Sequence, residues 1–408
     1  MTARVKKKTI PIGRPPFLRY TNAHEILKFL RARGACSRAD LVRATGLSAP
    51  TVTNVVKVLL SEELVETLGE GESSGGRPPD MLRFKADRGC LLAVEISARE
   101  ISFLLTDLNG NKLDTQKVSL AKRKTTPEAI CNVIRDELKP LLRKQKKTRE
   151  QLLVMVVGVP AITNVDEGCV LSISNLDGWR SVPLRSMLEK FVACPTIIEN
   201  DVNLAALGER FCGAAQSVDD FVLIHIGTNV GAGIFLGGRI HHGSQWSAGE
   251  IAYLRLPSTS RRQPTIYEFG ELEAVLTSSS ILRSWEEETR KEARNSERVG
   301  READVQEILN LAHAGEVRAK RIVRQRAEIV ADIVVNLSLI LNPGLILLGG
   351  EVGAHPVMID LVRKQLEGGE FAVARIASAA PGNPTVLWGG IALALEAVPG
   401  VLLPQPGL

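Results

Sequence analysis

The spacing of apolar residues divides the chain into two unlike parts. Between residues 22 and 61 apolar positions recur every three or four residues, which is the helical period; from residue 90 onward they form short runs, broken by polar turns and alternating with longer helical stretches. In the first part Ile26, Leu27, Phe29 and Leu30 predict a helix that Asn22 can cap and that ends near Gly34. Ser37 opens a short second helix containing Leu41 and Val42, closed by Gly46. Ser48 caps a third, with Val52, Val55, Val56, Leu59 and Leu60 on one face. Two short helices around Thr45-Gly46-Leu47 are the pattern of a helix-turn-helix, with Gly46 where a positive φ is needed. Two strands, near residues 64–68 and 81–84, then flank the Gly-rich stretch 69–79, which reads as a wing with a flexible tip.

In the second part, residues 90–97 and 101–107 read as strands, followed by a third near 112–118 and a helix with Pro127 in its first turn. Further buried strands are expected at 152–159, 221–226, 231–236 and 345–348. Strands alternating with helices indicate an α/β body, and a three-strand opening that recurs from Phe221 suggests a duplicated, two-lobed design with a cleft between the lobes. Apolar positions from Ile322 to Leu337 keep helical spacing over a long stretch, predicting a buried helix and a candidate subunit contact; residues 284–307 are charged and read as a solvated helix or loop.

Charge changes this picture. The first 60 residues carry twelve Lys or Arg against Glu25 and Asp40, a surplus of ten, so the remaining 348 sum to −5 within a net charge of +5. A basic head on a mildly acidic body points to a polyanionic partner. The exposed face of the third helix supplies the chemistry: Ser48, Thr51, Thr53, Asn54 and Lys57 are short hydrogen-bonders and one cation, suited to the major groove of double-stranded DNA. Arg77, between Gly76 and Pro78, is placed to follow a minor groove. The bland alternative is a helical hairpin with a solvated basic tail, and the wing weakens it. The six cysteines are scattered singly and no apolar run of the ~20 residues needed to span a bilayer is evident, so a reduced, cytoplasmic protein with no membrane partner is expected.

Four segments of the body, Val157-Gly-Val-Pro-Ala, Ile198-Glu-Asn-Asp-Val-Asn-Leu-Ala-Ala-Leu-Gly-Glu, Ile226-Gly-Thr-Asn-Val-Gly-Ala-Gly-Ile and Ala248-Gly-Glu, resemble the ROK family in order and spacing, with the head and Gly-Gly-Arg-Pro wing resembling its repressor branch. The resemblance implies an α/β actin-like (ribonuclease-H-like) ATPase or sugar-kinase fold behind a winged helix-turn-helix. The implied division is a basic tail at 1–19, a DNA-binding head at 20–88 and a ligand-sensing body at 89–408 whose lobes divide near 200. It also implies a sugar site at Asn200, Asp201, Glu250, Tyr253 and Glu273, with Asp201 the base if the protein were a kinase; an alternative role for Asp201 is to cap its helix.

Departures from the family pattern define the expected subclass. Where family kinases have Asp-x-Gly-Gly-Thr this chain has Glu95-Ile-Ser97-Ala98-Arg99, which adds Cβ atoms where phosphates must approach. Gly227, Thr228, Gly231 and Gly233 persist as a vestigial phosphate loop, with Asn229 tolerating left-handed backbone in place of a glycine, and Gly349-Gly350 read as a tight strand-to-helix turn. Tyr253 stands where the family places a zinc-binding His, and residues 255–271 contain no Cys, so no zinc, no other metal and no cofactor are expected. The expected protein is a non-enzymatic, sugar-responsive regulator, acting as a homodimer or homotetramer on a DNA operator and sensing a sugar or sugar phosphate. An active kinase with an accessory head, or a regulator whose body binds a protein partner, are the alternatives.

Overall fold

The computed structural model describes residues 15–70, 80–173, 178–257, 259, 270–293, 303–369, 373–380 and 384–403. The expected tail and Arg77 lie outside them. In the head, helices Pro15–Arg33, Arg38–Thr45 and Ala49–Ser61 pack around Ile26, Leu30, Leu41, Val52, Val56 and Leu59. A three-stranded sheet, Cys36–Ser37 beside Asp80–Phe84 beside Val65–Glu70, closes one side. Ser37 forms a reciprocal capping box with Asp40, and Gly46 ends the second helix at φ 67°. Ser48 caps the third helix. Asn22, in contrast, is interior to the first helix and caps nothing. A cap is worth only about 1 kcal/mol, so continuation of the helix upstream overrides it.

The body repeats one topology. Strands Cys90–Ile96, Glu100–Asp107 and Lys112–Ser119 form an antiparallel meander, and Leu152–Val159 and then Thr196–Asn200 add in parallel beside the first of them. Strands Phe221–Ile226, Val230–Leu236 and Arg239–Ile240 form the second meander, and Leu345–Gly349 and Arg375–Ser378 add in the same order. Each sheet has its own core, one with Phe103, Val157 and Trp179, the other with Ile224, Ile333 and Leu348.

Two helices join these halves. Asp201–Cys212 leaves the end of the first sheet, and Thr385–Leu402 returns from the second half to pack on the first sheet and on Asp201–Cys212. Their crossing is too close for side chains: a Cβ on Gly389 would lie 1.8 Å from the Leu204 carbonyl oxygen, and one on Gly208 2.0 Å from that of Thr385. Among the described residues Thr385–Leu402 is long and apolar enough to cross a membrane, contrary to the sequence expectation of no such run. Its composition follows from burial on two sides, with Leu387, Ile391, Ala394 and Val398 in the core.

The head is seated on the same helix. Its core runs without a break into Leu91, Leu108, Ile391 and Leu395 of the body. Arg31, above the Phe84 ring, donates from Nη1 to the Leu395 carbonyl oxygen at 3.2 Å. That carbonyl is free because Pro399, four residues on, has no N–H to give it.

Candidate functional site

A cavity of about 390 Å³ opens between the two sheets, in the size range of small-molecule sites. Asn200, Asp201, Glu250, Tyr253 and Glu273, spread over 74 positions of sequence, all line it, as do Gly227, Thr228 and Gly231. Asn200 is the last residue of its strand and the cap of the following helix: its Oδ1 accepts from the N–H groups of Val202 (2.8 Å) and Asn203 (3.0 Å). Its amide nitrogen donates to the Ala161 carbonyl oxygen at 3.0 Å, which leaves one amide hydrogen for a ligand. Asn200 is thus the cap, and Asp201 stands in the first helical turn lining the cavity, where its Oδ1 also accepts from the Val202 N–H at 2.8 Å.

Burial and crowding make the carboxyls unusual. Desolvation, then the charge of Glu95, then that of Glu250, push the Asp201 carboxyl up to about 8. Desolvation and Glu273 push Glu250 up to about 7. Burial also raises Glu273, although it accepts from the N–H groups of Val230 (3.4 Å) and Gly270 (3.2 Å). Carboxyls poised near neutrality can donate or accept, which is what the hydroxyls of a polyol require.

Asn229 does not adopt positive φ, so the left-handed tolerance expected of it is not used. Gly233 instead permits close packing: a Cβ there would lie 2.6 Å from the Ala206 Cβ and 2.8 Å from the Val202 carbonyl oxygen, on the helix that Asp201 opens. The loop's N–H groups are partly taken, Gly227 by the Asn229 carbonyl at 3.0 Å and Val230 by Glu273. Across the cavity, the Ser97 hydroxyl accepts from Arg99 N–H (3.3 Å) and Glu100 N–H (3.1 Å).

Polar and aromatic lining residues to which the motifs assign no role also stand here. His225, whose imidazole burial pushes down to about 4, and Glu351 face the glycine loop; Arg99 and Trp246 stand elsewhere on the wall. Outside the cavity, His242 Nε2 meets buried Glu199 Oε2 at 2.7 Å, linking a loop of the second lobe to the end of the first sheet. No local pattern signals these pairings. As for zinc, the His position is Tyr253, and the described residues hold no cluster of three His, Cys, Asp or Glu able to bind a metal.

On the head, Ser48 Oγ and Thr51 Oγ1 bond each other at 2.8 Å and build the helix N-terminus, while Thr53, Asn54 and Lys57 are exposed. Val58, 47% exposed and one turn beyond Asn54, joins that face; as an apolar residue it gave no sequence signal for a groove-facing role.

These features define a class: a winged helix-turn-helix head fused to a duplicated two-lobed α/β body with a polar interlobe cavity. A profile described as winged helix-turn-helix DNA-binding matches residues 21–66, and one described as the ROK family matches residues 91–397. The chain belongs to the ROK family. It is 24% identical over 351 residues to the xylose repressor of Bacillus subtilis (strain 168), covering 86% of this chain and 87% of that protein. It is 27% identical over 294 residues to a glucokinase of Halalkalibacterium halodurans, covering 71% and 88%. A solved ROK family transcriptional regulator, described as a homolog of the Escherichia coli MLC protein, superimposes with a TM-score of 0.74 at 22% identity, over 95% of this chain and 98% of that one.

Proposed function

We propose that this protein is a sugar-responsive DNA-binding repressor whose kinase-like body has become a sensor. The observation that carries the reading is the conjunction of a seated winged head with a polyol-type cavity whose phosphate-binding turns are closed on themselves. Similarity over 86% of the chain to a protein named xylose repressor supports it. Phosphoryl transfer depends on positioning phosphates and metal. Here the Ser97 hydroxyl accepts from the N–H groups of Arg99 and Glu100, in the turn where family kinases carry paired glycines. Among the described residues the cavity lining also carries Glu95, Asp201, Glu250, Glu273 and Glu351, against Arg99 as its one lysine or arginine. A wall so poor in cations offers a phosphate little positive charge to pair with, which favours an unphosphorylated sugar over a sugar phosphate.

Thr53, Asn54 and Lys57, with Val58, are assigned to the major groove, Ser48 and Thr51 to the helix N-terminus near phosphate, and Arg77 to the adjacent minor groove. A paired arrangement of heads on a two-fold operator in the cytoplasm is part of the same reading. The route from ligand to head is short. Asp201 opens the helix whose Gly208 lies in the close crossing with Gly389, and Gly389 shares a helix with the Leu395 carbonyl that Arg31 holds. A lobe movement that tilts either helix moves the head.

The deciding experiment is an electrophoretic mobility shift on DNA flanking the protein's own gene, with and without a panel of free sugars, alongside an ATPase assay with the same panel. Specific, salt-sensitive binding released by one sugar, without ATP turnover, is the expected result. Sugar-dependent ATP consumption without DNA binding would make the protein a kinase.

A further inference from the structure

Among the residues around the cavity, Trp246 has the most unfavourable backbone. It sits at φ 56°, in the left-handed region that a bulky side chain rarely adopts and that persists only where surrounding structure enforces it. The enforcement is visible. On one side His242 is held by Glu199 at 2.7 Å, and His241 N–H donates to the Ile234 carbonyl oxygen at 2.8 Å. On the other, Ala248 N–H donates to the His242 carbonyl oxygen at 3.1 Å, closing the loop. Gly249, at φ 92°, follows immediately, and a Cβ there would lie 1.9 Å from the Ala232 carbonyl oxygen. The loop is therefore clamped at both feet, with Trp246 between them, half-buried and bordering the cavity.

We propose that Trp246 is a specificity-determining residue whose indole forms the apolar platform for one face of a cyclic sugar. This rests on the reading of the cavity as a sugar site. A pyranose presents hydroxyls at its rim and C–H groups on its faces. The carboxyls of Asp201, Glu250 and Glu273 suit the rim, and the indole supplies an apolar plane for a face. The ligand class is then a ring-closed, unphosphorylated aldose or its glycoside, selected over an open-chain polyol with the same hydroxyls but no flat face. Loop strain is tolerated because it fixes the platform before the ligand arrives, which reduces the ordering that binding must otherwise impose.

The test compares the full-length wild type with Trp246→Gly and Trp246→Phe, using calorimetry and thermal unfolding. The probes are D-glucose, D-xylose, D-galactose, their methyl glycosides, and the open-chain hexitol D-sorbitol. The expected outcome is that at least one cyclic probe binds the wild type in preference to sorbitol. Trp246→Gly should lose about tenfold in affinity and the ring-over-chain preference together, while Trp246→Phe recovers part of both. The ligand-free melting temperature of Trp246→Gly should equal or exceed that of the wild type, because glycine accepts the left-handed backbone. A cyclic sugar that binds the wild type and the glycine variant equally overturns the platform alone. A glycine variant with a lower ligand-free melting temperature and unchanged ring preference shows Trp246 to be a packing residue. No binding of any cyclic probe to the wild type overturns the platform and the sugar-sensor reading together, whereas wild-type binding to a ring with no loss in the variant leaves the sensor reading standing.

Discussion

A carboxyl at position 201 in an unfolded chain titrates near 3.8, yet the cavity pushes it up to about 8. The folded protein therefore keeps a proton that the unfolded chain has released, and this group makes stability fall as pH rises between those values. His242 acts in the same direction: its pairing with Glu199 raises the imidazole above 6.5, so its contribution is complete below that value and is lost as pH rises through the folded one. Thermal unfolding across about pH 5 to 8.5 should show a falling melting temperature, flattened in Asp201→Asn, which should also lose the ligand response. An unchanged slope in that variant would exclude Asp201 as the source. On the head, Asn54→Ala should cost about 1–3 kcal/mol and relax selectivity at one base pair, whereas Lys57→Ala should lower the salt slope of binding by about one. Equal losses on every sequence for both variants would place Asn54 on phosphate instead. The positions of Asp201, Asn54 and Lys57 were legible in the motifs, whereas that of His242 was not; nor was the protonation behaviour of Asp201, because desolvation depends on neighbours distant in sequence.

At the scale of elements, the sequence located caps and strands well where the signal is local. Ser37 and Ser48 each bond a backbone N–H three residues on, so four residues suffice to identify them. Asn22 failed by the same logic, since residue type alone does not show that a helix continues upstream. The glycines of the joining helices are a harder case. Gly208 and Gly389 look like weak helix formers, yet each removes a side chain where two backbones touch. Gly389→Ala should destabilise the fold by about 2 kcal/mol or more, read from urea unfolding. A ΔΔG within error of zero would mean the helices can separate without loss, and would remove their crossing from the proposed coupling route.

For the whole molecule, the relation between head and body rests on one helix. Arg31→Ala removes the guanidinium that holds the Leu395 carbonyl while leaving the cavity and the recognition helix intact. Operator affinity without ligand and sugar affinity without DNA should both stay within about threefold of wild type, while ligand-induced release from DNA weakens by more than that, a loss of coupling rather than of either site. Mobility shifts with and without sugar read this directly, and full release by the variant would show that coupling runs elsewhere. The duplication of the body was legible because each meander repeats its own strand pattern. The return of Thr385–Leu402 to the first sheet was not, because an apolar helix carries no address.

The sequence by itself determined the helix-turn-helix with the Ser37 and Ser48 caps and the Gly46 turn, the α/β repeat and the basic head, and it pointed to Asn200, Asp201, Glu250 and Glu273, because each depends on residues a few positions apart or on a motif in fixed order. The tertiary structure alone decided that Asn200 caps so that Asp201 faces the cavity, that its carboxyl sits near 8, that Glu199 clamps the loop bearing Trp246, and that Pro399 frees a carbonyl for Arg31. These depend on desolvation and on donors and acceptors brought together from 43 (Glu199–His242) to 364 (Arg31–Leu395) positions apart, which no linear pattern encodes.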